Sequence, residues 1–244
     1  MKYLLTISYD GRSYCGYQKQ KNGVSVQEKL TDAASALFGE GTKITGCSRT
    51  DSGVHAFRFK ATLESENARI KSEKLPSALN AHLPADISVR DACEVESDFH
   101  PRYSVKEKEY RYIICNATTR DPFSDGRAYF FPKELDEKIM NEAAQYLIGK
   151  HDFRAFMASG SKIEDTVREI YSCSVTRDGD NVTVSVRGNG FLYNMVRIIV
   201  GTLISVSEGK LSVDDIKTVI ESRERKNAGP TAPPEGLYLY DVTY

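Results

Sequence analysis

None of the motifs that most often announce catalytic chemistry is present in this chain. There is no G-x-x-x-x-G-K-[ST] phosphate loop, no G-x-G-x-x-G dinucleotide turn, no H-E-x-x-H zinc helix and no G-x-S-x-G serine elbow. Cysteine is scarce: Cys15, Cys47, Cys93, Cys115 and Cys173 are an odd number, and no pair is spaced C-x-x-C. That argues against a disulfide framework and a zinc site, and for the reducing cytoplasm. The four histidines (His55, His82, His100, His151) stand far apart, so no metal site is expected. Neither sign of charge dominates, with 33 Lys and Arg against 34 Asp and Glu. A net charge of −1 argues against coating nucleic acid by bulk charge, but it leaves a local basic face open. Long apolar runs are missing as well. The greasiest stretch, "FLYNMVRIIVGTLISV", is interrupted by Asn194 and Arg197 and is too short to span a bilayer. The N-terminus alternates instead of forming a signal-peptide core.

What is present is an ordinary globular balance, 40% apolar and 27% charged, over 244 residues. Residues 2–9 alternate with period two and predict a strand. "SVQE" from Ser25 is a capping box opening a helix, with Val26, Leu30, Ala33 and Leu37 on one face and Gly39 to stop it. A short strand is expected over 43–48. A second follows over 55–63, where Phe57, Phe59, Ala61 and Leu63 oppose Arg58, Lys60 and Thr62. A helix near 75–82 and a strand near 87–95 complete a first half, 1–104. The second half, 105–244, reads as a strand over 108–115 and a helix over 134–148 closed by Gly149. Strands 170–176 and 181–187 then join across Asp178-Gly179, a hairpin signal. Helices over 192–208 and 212–223 follow, the latter with Ser212 as N-cap, and then a Pro/Gly-rich loop and a last strand over 237–244. The class is α+β, two similar halves, each a mainly antiparallel sheet with helices on one face.

Three residues carry candidate chemistry. Asp51 lies in "GCSRTDSGVHAF", Gly46 to Phe57. It reads either as an Asx-turn former or as an ionised carboxylate near an arginine, held to act as a nucleophile. Arg197 sits in an otherwise greasy helix, "NMVRIIVG", and either snorkels to water or directs its guanidinium at a carboxylate or phosphate. Tyr110, in "KEYRYIIC", is either sheet packing or a stacking platform for a base.

Taken together, several segments resemble the TruA type of tRNA pseudouridine synthases. The resemblance runs through "YDGRSYCGYQKQ", "VSVQEKL", "GCSRTDSGVHA", "ALNAHLPADISV", "KEYRYII", "HDFRAF", "GFLYNMVRIIVGTL" and "AGPTAPPEGLYL", in order and over nearly the whole chain. The family usually has Ala where Ser52 stands and Trp where Tyr17 stands. The resemblance implies isomerisation of uridine to pseudouridine at positions 38, 39 and 40 of the tRNA anticodon arm, with no cofactor and no metal. It also implies a homodimer, and two halves joined in one sheet around a central RNA-binding cleft. By match to the motif, Asp51 would be the nucleophile, Arg197 its partner, Tyr110 the stack on the uracil, and Leu237 part of the pocket wall. Arg49 could enter the stem as the base is flipped out. Arg58 and Lys60, with Arg102, Lys106 and Lys108, could form a basic track for phosphates.

Two other readings compete. A non-catalytic RNA-binding protein with RRM-like halves fits the β-α-β-β-α-β order, but the RNP1 pattern is absent. A small-molecule hydrolase using Asp51 would need a partner base or metal ligands that the spacing does not supply.

Overall fold

The computed structural model describes residues 1–21, 23–161 and 163–244. The strands in chain order are β1 (Lys2–Tyr9), β2 (Lys43–Gly46), β3 (His55–Glu64), β4 (Ile87–Glu94), β5 (Glu107–Cys115), β6 (Tyr129–Phe130), β7 (Gly149–Asp152), β8 (Val167–Asp178), β9 (Asn181–Gly188) and β10 (Leu237–Thr243). The helices are α1 (Val26–Phe38), α2 (Leu75–Asn80), α3 (Glu137–Gln145), α4 (Met195–Ser207) and α5 (Asp215–Ser222). This is the expected α+β class. The chain divides into two units, Met1–Lys106 with Tyr238–Tyr244, and Glu107–Leu237. The sequence had placed all of 105–244 in one half, whereas Tyr238–Tyr244 clusters with the first unit.

In the first unit the strand order is β4-β1-β3-β10, with β2 also on β3. β1 pairs antiparallel with β3 and β4, and β10 lies parallel to β3, Tyr238 beside His55 and Leu239 beside Ala56. The β1–β3 register slips: Ile7 faces Phe59, yet Tyr9 faces Ala56. The slip breaks the alternation expected for β3. His55 and Ala56 are both buried, and Phe57 and Arg58 both face outward, Phe57 46% exposed. The apolar face therefore begins at Phe59, not at Phe57, and continues through Ala61 and Leu63. α1 opens as its capping box predicts, with Ser25 Oγ accepting from the Glu28 N–H at 3.2 Å, and Gly39 at φ 84° ends it. Its buried stripe is Val26, Leu30, Ala33, Ala34 and Phe38, so Phe38 takes the place expected for Leu37.

In the second unit the order is β5-β9-β8-β7, with β6 parallel to β5. The β8–β9 hairpin turns as expected, Asp178 opposite Asn181 with Gly179 at φ 56°. α3 begins after Asp136, whose Oδ1 accepts from the Lys138 and Ile139 N–H groups, so it is shorter than the 134–148 expected. Gly149, expected only to stop that helix, opens β7. Helix α4 starts at Met195 and not near Leu192, because Asn194 before it is left-handed at φ 59°. Ser212 is not the formal cap of α5: it exchanges hydrogen bonds with Asp215, 2.7 and 3.3 Å, one turn earlier.

The Pro/Gly-rich loop before β10 lies directly on α4. Gly201 makes this possible, since a Cβ there would run into the Pro230 carbonyl. Thr202 Oγ1 accepts from the Gly229 N–H at 2.9 Å, and Arg225 donates to the Gly229 carbonyl and to Thr231 Oγ1 at 2.9 and 3.1 Å. Tyr112, fully buried on β5, donates its hydroxyl to the Pro233 carbonyl at 2.7 Å. Both atoms of the Gly201 approach belong to backbone, so neither can swing aside. Gly201→Ala should lower stability by about 1–3 kcal/mol as an overpacking change. A melting temperature equal to wild type would mean that the loop is not seated on this helix.

Candidate active site

The loop between β2 and β3 carries Arg49 and Asp51, and it has no regular secondary structure of its own. Fixing each such residue costs about 1–2 kcal/mol of backbone entropy, so bonds from elsewhere must offset that. They come from the segment after β1. The Tyr17 N–H donates to the Thr50 carbonyl at 3.2 Å, and the Tyr9 and Thr50 hydroxyls meet at 2.9 Å in the core. The Tyr14 carbonyl accepts from Ser52 Oγ at 3.1 Å and from the Gly53 N–H at 3.4 Å. Tyr14 is itself tied down, donating its hydroxyl to Asp86 Oδ1 at 2.6 Å.

This bears on the two readings of Asp51. An Asx turn would aim the Gly53 N–H at the Asp51 carboxylate. Here that N–H goes to Tyr14, and the turn is closed by the Val54 N–H donating to the Asp51 backbone carbonyl at 3.2 Å. The turn is thus closed by these backbone bonds and by Ser52. Asp51 is half-buried, and Arg49 beside it is exposed.

Tyr17 braces the loop from beneath. Its ring stacks on Phe59, centroids 4.1 Å apart at 26°, and lies so close to Gly46 that any side chain there would strike it. Its hydroxyl is fully buried with no hydrogen-bond partner among the described residues. Burial, followed by the nearby Cys47, holds that phenol well above its ordinary pKa. Next to the loop, the buried His55 accepts the Gly11 N–H on Nδ1 at 3.1 Å and stacks on Tyr238 at 4.6 Å.

In the second unit Arg197 stands in the first turn of α4, half-buried. Its Nε donates to the Ala232 carbonyl at 2.7 Å and one terminal nitrogen donates to Asn194 Oδ1 at 2.8 Å. The Ala232 N–H returns a bond to the Arg197 carbonyl at 3.1 Å. A snorkelling arginine would keep its head in water, whereas this guanidinium is fixed by two acceptors of its own unit. Tyr110, 7% exposed on β5, meets Phe191 edge-on at 5.1 Å, and Leu237 is buried. Sequence reasoning had no signal for the supports Tyr14, Asn194, Ala232 and Tyr112, which gain meaning only from partners distant in the fold.

The expected basic track is only partly open. Arg58 is exposed but pairs with Asp241 at 3.2 Å. Lys60 is half-buried and donates to Thr6 Oγ1 at 2.7 Å, and burial first, then Arg58, lowers its pKa. Arg102 and Lys106 are exposed. Among the described residues no group of three or more His, Cys, Asp or Glu is placed to hold a metal, and no helix is long and apolar enough to cross a membrane.

The family model described as tRNA pseudouridine synthase matches residues 5–104 and 143–244. The tRNA pseudouridine synthase A of Caldicellulosiruptor saccharolyticus is 46% identical over 241 residues, covering 99% of this chain and 98% of that one. That of Acetivibrio thermocellus is 47% identical over 240 residues, 98% of each. The chain belongs to the tRNA pseudouridine synthase family. Among solved structures, a chain of a Cbf5-Nop10-Gar1 complex overlays 98% of this chain and 48% of its own length, at 13% identity and a TM-score of 0.40. The matched segments of this tRNA pseudouridine synthase family member hold Arg49, Asp51, Arg58, Arg197 and Leu237, while Tyr110 lies in the stretch between them.

Both departures from the usual family residues bear on the loop. Ser52 adds its bond to Tyr14, and Tyr17 brings a phenol whose oxygen the site leaves unbonded. An unsatisfied buried hydroxyl costs about 1–3 kcal/mol. Tyr17→Phe should therefore melt at or above the wild-type temperature. Tyr17→Ala, which empties the space against Gly46 and Phe59, should lose about 3–5 kcal/mol. A Phe variant clearly less stable than wild type would show that the hydroxyl has a partner, such as a buried water.

Proposed function

We propose that this chain isomerises uridine to pseudouridine at positions 38, 39 and 40 of the tRNA anticodon stem and loop, working as a cytoplasmic homodimer. The observation that carries the reading is the likeness to tRNA pseudouridine synthase A over 99% of the chain, at 46% identity. The local geometry agrees with it, since backbone bonds and Ser52 hold in place the loop that presents Asp51.

The reaction breaks the C1′–N1 glycosidic bond, turns the base and makes a C1′–C5 bond. The C5 hydrogen leaves as a proton and N1 gains one, so no electrons are exchanged overall. Asp51 is the nucleophile. A carboxylate on a braced loop keeps its position while the base moves, which is what positioned nucleophiles need. Arg197 is the partner of that carboxylate, already oriented by Ala232 and Asn194. Tyr110 offers its ring to the flipped uracil, and Leu237 walls the pocket. Arg49, exposed two residues from Asp51, enters the stem that the uridine leaves, and Arg58 meets a phosphate.

The test is tritium release from tRNA labelled at uracil C5, measured beside tRNA affinity and melting temperature. Wild type should release tritium in step with pseudouridine formed. Asp51→Asn should fold, bind tRNA and release none above background, because the amide cannot act as nucleophile. Substantial product from that variant would return Asp51 to a turn-forming role. Arg197→Lys keeps the charge but loses the planar fork, and should lower turnover by at least ten-fold while tRNA affinity stays within a few-fold. Turnover equal to wild type would remove Arg197 from the chemistry. Wild type binding tRNA without tritium release would instead favour a non-catalytic RNA-binding role.

A further inference from the structure

We propose that Tyr103 is a stacking platform for an unpaired base of the tRNA, with Arg102 beside it for the adjoining phosphate. The inference rests on the tRNA substrate given above and adds to it a contact surface on a segment other than the Asp51 loop. Tyr103 is 80% exposed. A single exposed aromatic is ordinary on a protein surface, so exposure alone carries nothing. What sets Tyr103 apart is that its ring is already ordered. It stacks on the His100 ring, centroids 4.4 Å apart at 29°, which covers one face and leaves the other to solvent.

The turn beneath it is fixed at every step. His100 Nδ1 accepts from the Arg102 N–H at 3.2 Å and from the Tyr103 N–H at 3.3 Å. The Ser104 N–H donates to the His100 carbonyl at 3.0 Å, and the His100 N–H donates to Ser104 Oγ at 3.3 Å. Pro101 is buried and its carbonyl accepts the Tyr244 hydroxyl at 2.9 Å, while Phe99 meets the Tyr244 ring edge-on at 4.9 Å. A ring held this way loses little freedom when a flat partner settles on it, which favours binding.

The surroundings choose between a base and a protein partner. Arg102, Ser104 and Lys106 are all exposed, and neither cation has an ion-pair partner among the described residues. Protein interfaces put their aromatics in apolar centres depleted of charge. An exposed π-face with exposed, unpaired cations one and three residues along the chain is the combination that suits a nucleic-acid strand, stacking a base and neutralising its phosphate.

The experiment uses the full-length chain and an unmodified tRNA transcript, with affinity measured by filter binding over a range of salt. Tyr103→Ala should weaken binding roughly ten-fold to a hundred-fold. Its KM should rise by more than its turnover at saturating tRNA falls. Tyr103→Phe should restore affinity, because the π-face returns. Arg102→Gln should weaken binding and lower the slope of log affinity against log salt by about one. Melting temperature and solution mass should match wild type in all three. Wild-type affinity in Tyr103→Ala would overturn the proposal, as would a change of solution mass in that variant, which would make the ring a protein contact. If wild type neither binds nor modifies tRNA, the substrate reading itself falls and this one with it. Normal wild-type activity beside a silent Tyr103→Ala removes only the platform.

Discussion

One backbone hydrogen bond, from the Tyr17 N–H to the Thr50 carbonyl, organises the first unit around Asp51. It joins two stretches with no regular structure, and each would be loose without the other. Around it gather the Tyr9–Thr50 hydroxyl pair, the Tyr17 ring under Gly46 and the Tyr14 carbonyl that gathers Ser52 and Gly53. Each bond is modest, roughly 0.5–1.5 kcal/mol net. Their combined effect is to leave the backbone at Asp51 one defined place, and precision of that kind is what the proposed nucleophile would need.

The second unit solves a similar problem by other means. Arg197 is oriented by a loop laid across its own helix, close enough that only glycine fits at residue 201. The loop is anchored at Thr202, Arg225 and Tyr112, so the Ala232 carbonyl arrives at the guanidinium from a fixed direction. Asn194 supplies the second acceptor, and it can do so because its left-handed backbone turns the chain into the helix.

Much of this fold was legible in the sequence, because most elements are specified locally. Period-two alternation gave β1, the capping box gave α1, and Asp178-Gly179 gave the β8–β9 hairpin. The errors have local causes too. Phe57 was assigned inward because alternation cannot reveal a one-residue slip opposite Tyr9. Lys60 was assigned to a basic face because its burial against Thr6 depends on packing. The parallel pairing of β10 with β3 joins residues nearly two hundred positions apart, and no short-range pattern encodes it. At the candidate site the resemblance named Asp51, Arg197 and Tyr110, whereas their supports are tertiary and were invisible.

That parallel pairing also bears on how the protein is made. β10 belongs to the first unit but leaves the ribosome only after the whole of Glu107–Leu237. Until then the start of β3 lacks its β10 neighbour, and an unpaired strand edge is a template for pairing with another nascent chain. The exposed stretch begins at His55, four residues after Asp51, so the region nearest the candidate nucleophile is among the last to be closed. Domains completed during synthesis escape this exposure. Here the order of the chain makes the first unit wait for the last strand.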